Sequence, residues 1–401
     1  MRWHTDALGN LVTDAKVGFA CGEQAEAGVF QIRMNNITKD GTLDLSKMRR
    51  IPKSVRNWEK FQLRPGDVLF NATNSPELVG KTAVFEDCGE PAVFSNHFVR
   101  IRPDEMRLDS RFLARWLQLQ FHKQVFRSMC RQWVNQATVG RDALLALKIP
   151  LPPLAKQRLI AEILGQTKAL RATRREAIIR LDELTRSIFL EMFSGSRSDN
   201  WTMTTVERVA RTDQGSIRTG PFGSQLLHGE FVDNGVAVLG IDNVVTNDFR
   251  WEDRRFVTEA KHRELNRYTV RPGDVLITIM GTCGRCAVAP DDIPLAINTK
   301  HLCCITLDRA KCLPVFMRAY FLLHPVARRY LNRTAKGAIM SGLNMGIIKA
   351  MPLALPPLAL QREFADLVGG VERLKASHRA HLAELDTLFA SLHHRAFRGE
   401  L

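Results

Sequence analysis

The sequence has no uninterrupted apolar stretch approaching the ~18 residues that a membrane span requires. Its opening, Met1-Arg2-Trp3-His4-Thr5-Asp6, lacks the apolar core expected of a signal peptide. Eight cysteines in 401 residues are too few for a disulfide scaffold and point to a reducing compartment. Catalytic signatures are missing as well. There is no Asn-Pro-Pro-Tyr or Asp-Pro-Pro-Tyr for amino-group methylation, no glycine-rich cofactor loop after a strand, and no convincing Asp…Glu-x-Lys nuclease pattern. Gly80-Lys81-Thr82 is like the tail of a phosphate-binding loop, but Ser75 stands where its first glycine belongs. Cys283-x-x-Cys286 has zinc-ligand spacing, with His301, Cys303, Cys304 and Cys312 downstream. The second pair is adjacent in an apparent strand, so its side chains face opposite ways, and buried thiols are the expectation. These absences disfavour a membrane protein, a secreted scaffold and an autonomous enzyme. They lead us to expect a cytoplasmic chain without catalytic residues, cofactor or metal.

What is abundant is positive charge. Lysine and arginine number 57 against 42 acidic residues, a net +15. Hydrophobic content of 45% and charged content of 25% are those of a globular protein. The excess points to a polyanion, nucleic acid first, because Lys and Arg gain from releasing phosphate counterions. A charge kept for solubility is the alternative.

The chain also repeats itself. Arg64-Pro65-Gly66-Asp67-Val68-Leu69 recurs as Arg271-Pro272-Gly273-Asp274-Val275-Leu276, a shift of 207. Leu151-Pro152-Pro153-Leu154-Ala155 and Gln157-Arg158 recur as Leu355-Pro356-Pro357-Leu358-Ala359 and Gln361-Arg362, a shift of 204. Weaker collinear echoes, such as Leu181-Asp182 with Leu385-Asp386, agree with the second shift. Two copies of one unit, with shared ends and divergent middles, imply one common task and two different ones.

Each copy opens with short strand-like runs, about 1–150 and 201–354, in which Arg-Pro-Gly-Asp reads as a turn into a strand. A helix is expected within each, near 110–127 and 314–331. The fold class is α+β with a twisted or barrel-like sheet. Pro-Pro then stops any helix upstream and lets a long one begin. Positions 160, 163, 167, 170, 174, 177, 181, 184 and 188 form an expected seam, repeated 204 residues later. At 1.5 Å per residue, ~36 residues make a rod of roughly 54 Å. Antiparallel pairing of the two rods would give a pseudo-twofold axis, as duplex DNA has. The helices carry about eight basic and five acidic residues over 156–193 and six of each over 361–400, so most of the charge excess lies in the heads.

With these motifs in view, the chain resembles the specificity subunits of type I restriction–modification systems. The likeness rests on the duplicated Arg-Pro-Gly-Asp-Val-Leu and Pro-Pro-Leu-Ala-x-Gln-Arg strings, on Arg218-Thr219-Gly220-Pro221-Phe222-Gly223-Ser224, and on the two-head, two-helix layout. It implies two target recognition domains (1–153 and 196–357), each reading half of a split site in double-stranded DNA. It implies spacer helices (154–195 and 358–401) that set the unread gap. It also implies docking of two modification (methyltransferase) subunits, and of restriction (translocase and endonuclease) subunits in the full complex. Partner contacts are expected at Pro152, Pro153, Leu154, Gln157, Pro356, Pro357, Leu358 and Gln361. The first copy has no string like Gly-Pro-Phe-Gly-Ser and reads Lys16-Val17-Gly18-Phe19-Ala20-Cys21-Gly22 instead.

Residue type selects the DNA-contact candidates, since Arg and Lys suit guanine, Asn and Gln suit adenine, and all can hold phosphate. In the first head they are Arg33, Asn35, Asn36, Lys81, Thr82, His97, Arg131, Gln132 and Arg141. In the second they are Arg218, Thr219, Gly220, Phe222, Gly223, Ser224, Arg285, Lys300, Arg333, Lys336 and Ser341. Each is equally readable as a solvated charge or a satisfied polar group. The competing functions are a coiled-coil adaptor that binds protein or RNA, and a recognition subunit of a related restriction system.

Overall fold

The computed structural model describes residues 3–132, 136–195, 201–251, 254–335 and 342–400. It divides into two compact units, Met1–Arg175 with Ala380–Leu401, and Glu176–Arg379. The strands of the first are β1 (Thr5–Ala7), β2 (Val12–Val17), β3 (Val29–Ile32), β4 (Arg50–Ile51), β5 (Val68–Asn71), β6 (Thr73–Asn74), β7 (Thr82–Val84), β8 (Ala92–Phe94), β9 (Phe98–Pro103), β10 (Arg131–Gln132), β11 (Ala137–Thr138) and β12 (Lys148–Pro150). Its helices are α1 (Ser110–His122), α2 (Val125–Met129), α3 (Arg141–Leu145) and the first half of α4 (Leu154–Phe193). The sheets run β2-β9-β5-β7, β4-β3-β8, β10-β11-β6 and β1-β12.

The second unit repeats this plan with β13 (Thr202–Thr205), β14 (Ile217–Thr219), β15 (Val236–Leu239), β16 (Phe256–Val257), β17 (Thr269–Val270), β18 (Val275–Thr278), β19 (Cys286–Val288), β20 (Ala296–Asn298), β21 (Leu302–Ile305) and β22 (Pro352–Leu355). Its helices are α5 (Val206–Val209), α6 (Glu259–Glu264), α7 (Pro314–Leu323), α8 (Pro325–Ala335), α9 (Met345–Lys349) and part of α10 (Leu358–Ala396). The order β14-β21-β18-β19 matches β2-β9-β5-β7, β13-β22 matches β1-β12, and β16-β15-β20 matches β4-β3-β8 with β17 added. The sheets are small and open, and none closes into a barrel. The helices expected near 110–127 and 314–331 are each two pieces. Gln124, left-handed at φ 60°, separates α1 from α2, and Pro325 starts a fresh helix after Leu323.

The repeated Arg-Pro-Gly-Asp string does the same work twice. Gly66 and Gly273 take φ of +93° and +79°, a conformation that glycine enters without a Cβ penalty. The Arg64 and Arg271 backbone N–H groups donate to the buried Asp67 and Asp274 carboxylates, each at 2.8 Å. Behind each turn lies a core, with Phe70, Ile101, Phe112 and Leu117 in the first unit and Ile277, Cys303, Phe316 and Tyr320 in the second.

The long helices close both cores. Ile160 and Leu164 of α4, with Leu392 and Ala396 of α10, pack into the first. Phe189 and Phe193 of α4, with Phe364 and Val368 of α10, pack into the second. In each unit the two helix segments run antiparallel and share an ion pair at equivalent positions. Arg171 pairs with Asp386 at 2.5 Å in one, and Lys375 with Asp182 at 2.6 Å in the other. The expected seam is half right. Ile160, Thr167, Phe364 and Val371 are buried, but Leu170, Leu184, Leu374 and Leu388 are about half exposed. The alternate inner places lie one residue further on, at Leu164, Arg171, Val368 and Lys375. Each helix packs against a head as well as its partner helix, and that second contact rotates the buried face away from a simple two-stranded seam.

Candidate nucleic-acid interface

All but one pairing of the main sheets is antiparallel in each unit. The exceptions are β3 with β8 and β15 with β20. Parallel neighbours leave a sheet on the same side, so the segments that follow them are brought together. In the first unit these are Arg33–Asn36 and Ser95–His97. In the second they are Gly240–Asn243 and Thr299–His301. The segment after β2, or after β14, joins them. Asn96 N–H donates to the Phe19 carbonyl at 3.2 Å, and a Cβ at Gly18 would lie 2.2 Å from the Ser95 oxygen. A Cβ at Gly220 would lie 2.0 Å from the Asn298 oxygen and 2.3 Å from Thr299. Gly18 is thus the structural counterpart of Gly220, a match that the divergent residues around it hide. In the second unit the three segments line a concavity of about 320 Å³, with Pro221, Gly223, Asp242, Arg255, Lys300 and His301 in its walls.

Asparagine holds each loop after the parallel strand. Asn36 Oδ1 accepts from Arg33 N–H at 2.9 Å, and its amide donates to the Asp44 and Lys47 carbonyls. Asn243 Oδ1 accepts from Gly240 N–H at 2.8 Å, and its Nδ2 donates to the Arg250 carbonyl. Arg33 and Asn35 project from the first loop and are exposed, and His97 is half-buried beside them. Burial, with the Arg33 charge, holds the His97 imidazole below the usual histidine range. Burial, with Lys300 and Arg255, does the same to His301. Arg255 is ion-paired to Asp242. The sequence does not single out Arg255 and Asp242, and it marks His301 only beside the cysteines. Aligning Ser95-Asn96-His97 with Thr299-Lys300-His301 at the 204-residue shift would have found the histidine.

The other candidates divide into exposed groups and internal ties. Arg131, Arg141, Phe222, Gly223, Ser224, Arg285, Lys300 and Arg333 are exposed, with Arg141 against Asp142 at 3.2 Å. Gln132 lies in β10. Lys336 and Ser341 lie outside the described residues. Asn36, Lys81, Thr82 and Arg218 are buried and already occupied. Lys81 Nζ donates to the Met34 and Ile37 carbonyls at 2.9 and 2.5 Å. Thr82 donates to the Gly80 carbonyl at 3.0 Å. Arg218 donates to the Asp274 carboxylate at 2.6 Å and to Thr306 and the Thr269 carbonyl. These four are tied into the heads by those bonds, with the Arg218 Nε–H left buried and without a partner. Thr219 is half-buried and Gly220 buried.

The same holds for part of the expected partner surface. Pro152 and Pro356 are buried, Leu154 and Leu358 are half-buried, and Pro153 and Pro357 are exposed. Gln157 and Gln361 are fully buried, and their amides are spent inside the protein. Cys303 and Cys304 point into different cores, as adjacent strand residues must. Burial pushes the Cys286 and Cys303 thiols up to about 12. Among the described residues no group of His, Cys, Asp and Glu could hold a metal ion, and no helix is long and apolar enough to cross a membrane.

This geometry meets known proteins at one family. Residues 28–180 match the type I restriction modification DNA specificity domain. That stretch is similar to the specificity domain. The matched segment starts at the edge of β3 and includes both loops that follow the parallel pair, then runs into α4. The type I restriction enzyme EcoKI specificity subunit of Escherichia coli (strain K12) is 24% identical over 405 aligned residues, covering 92% of this chain and 82% of that one. The type I restriction enzyme MjaVIII specificity subunit of Methanocaldococcus jannaschii is 21% identical, covering 77% and 72%. The fold is that of a solved type I restriction–modification S subunit from M. genitalium, with a TM-score of 0.63 at 14% identity over 99% of this chain and 96% of that one. In sequence and in fold the chain is similar to type I specificity subunits.

Proposed function

We propose that the chain is the DNA-reading subunit of a type I restriction–modification complex in the cytoplasm, and that it has no catalytic activity of its own. Each head, residues 1–153 and 196–357, reads one half of a bipartite duplex site. The helices at 154–195 and 358–401 set the unread gap and dock two methyltransferase subunits, through which restriction subunits join. The observation that carries this reading is one loop cluster built twice on the same strands and furnished differently. Arg33, Asn35, Asn96 and His97 stand in one head, and Asp242, Arg255, Lys300, His301 and Phe222 in the other. A shared frame with different donors suits two different half-sites. The outward leucines at equivalent places on the two helices, 170 with 374 and 184 with 388, support a protein partner along the rod.

Methylome sequencing of cells expressing the chain with its methyltransferase subunit tests the reading. One bipartite methyladenine motif is expected, and exchanging residues 1–153 for another head changes one half only. A change in both halves refutes modular reading. Inserting a heptad into 154–195 lengthens the unread gap; an unchanged gap refutes the spacer role.

A further inference from the structure

The two loop clusters differ in most side chains but share one turn. Ser95 N–H donates to the Ile32 carbonyl at 3.0 Å, and Phe98 N–H donates back to the Ser95 carbonyl at 3.0 Å. Thr299 N–H donates to the Leu239 carbonyl at 2.9 Å, and Leu302 N–H to the Thr299 carbonyl at 3.0 Å. The backbone is therefore tied in the same way in both heads, and in each the end of the preceding strand is seated against it at a glycine, Gly18 or Gly220. Each turn places a hydroxyl first, an exposed donor second and a half-buried histidine third. The Ser95 and Thr299 hydroxyls are buried with no hydrogen-bond partner in the protein. The second residue is Asn96 or Lys300. A guanidinium faces each site, Arg33 in one head and Arg255 in the other. Asp242, the carboxylate that lines the second site, is held by Arg255.

We propose that the turns Ser95–His97 and Thr299–His301 are the sequence-independent phosphate contacts of the two heads, with the histidine N–H donating to a DNA phosphodiester. This rests on the DNA-reading function proposed above. The turns themselves present donors and cations, which suits an anion, and in the second head the one carboxylate of the lining, Asp242, is already ion-paired to Arg255. Two heads that read different half-sites cannot tell them apart with the one element they share. Phosphate contacts, which position a protein without reading sequence, are what such an element can provide. The neighbours that differ, Asn35 against Asp242 and the segment after Gly18 against that after Gly220, remain for the bases.

The test uses the full chain with its methyltransferase subunit, and two fluorescent duplexes, one carrying the bipartite motif and one of mixed sequence. His97→Ala and His301→Ala are each expected to weaken binding to both duplexes by about five-fold, the scale of one hydrogen bond. The double variant should lose about 25-fold, since the sites are independent. The preference for the motif should not change, and His97→Gln, which keeps a donor, should recover part of the loss. Phosphate-ethylation interference on the unaltered protein should mark one phosphate at matching places in each half-site, and it does not depend on any variant folding. Unchanged affinity, a loss confined to the motif duplex, or no blocked phosphate overturns the proposal and leaves DNA reading intact. Failure of the unaltered complex to bind either duplex refutes DNA reading itself.

Discussion

The two buried glutamines give a local and quantitative prediction. Gln157 Oε1 accepts from Asp109 N–H at 2.9 Å, and its amide donates to the Arg107 and Pro152 carbonyls at 2.9 and 2.8 Å. Gln361 repeats this with Leu313 N–H at 2.8 Å and the Lys311 and Pro356 carbonyls at 3.1 and 3.0 Å. Asp109 and Leu313 are the N-cap residues of α1 and α7. Each glutamine thus ties the first turn of a long helix to the start of a helix in its head. Gln157→Ala removes three bonds and leaves one donor and two acceptors without partners. Each buried group left so costs about 1–3 kcal/mol. Water entering the vacated space offsets part of that, so a net loss of about 3 kcal/mol is expected. Hydrogen exchange reads it at the amide concerned. Gln157→Ala should speed exchange at Asp109 by about 100-fold, with little effect at Leu313, and Gln361→Ala should do the reverse. Gln157→Glu should be no better than alanine, because a carboxylate has no donor for two carbonyls. Exchange at Asp109 slowed, unchanged or raised by less than five-fold would refute the latch.

Three further outcomes follow from single contacts. His393 is buried, and its ring lies 3.0 Å from the Arg115 carbonyl; burial holds its pKa at about 4. The folded state therefore favours the neutral ring, so its stabilisation is complete above the unfolded value near 6.5 and lost as pH falls from there toward 4. Denaturant titrations at pH 7.5 and 4.5 should differ by up to about 3 kcal/mol through this group, and His393→Phe should reduce the difference. Gly18→Ala and Gly220→Ala force a Cβ against backbone at 2.2 and 2.0 Å, and each should cost at least 1–3 kcal/mol; melting points within one degree of the parent would contradict the close approach. Lys375, only 2% exposed, faces Asp182 and Glu372 at 2.6 and 2.7 Å. Lys375→Glu should destabilise by about 3–5 kcal/mol, and adding Asp182→Lys should restore part of it in a thermal melt.

Architecture was legible because it was written twice. The repeated strings located both turns and both helix starts, and the strand alternation at Cys303-Cys304 already set the two thiols on opposite faces. The helix seam was legible only in part. Its apolar residues at 163, 170 and 184 fit a two-stranded pattern, whereas the folded helices place charged Arg171 and Lys375 inside, where Asp386 and Asp182 meet them. No periodicity of apolar residues can announce a sheltered cation whose carboxylate partner stands at the helix surface. The burial of four candidate contacts was hidden for a related reason. Lys81 and Arg218 are donors by type, but a donor surrounded by main-chain carbonyls and a buried carboxylate is a structural tie, and sequence does not list the carbonyls.

Arg218 shows how far the copies have drifted under a fixed requirement. Asp67 and Asp274 occupy the same turn, each about 1% exposed, and a buried carboxylate needs a partner. In the first head Arg102, on β9, meets Asp67 with two bonds of 2.7 and 2.8 Å. In the second the position that corresponds to Arg102, just past β21, is Thr306, and the guanidinium comes from β14. The counter-ion has moved one strand across the sheet while the charge it answers has stayed. Substituting Arg218 with Ala should therefore destabilise the second head, whatever DNA is present. An arginine in place of Thr306, the position that corresponds to Arg102, tests whether the turn accepts its charge from either strand. Partial recovery of the melting point means that the carboxylate alone sets the requirement. No recovery means that the Thr269 contact of Arg218 is required as well.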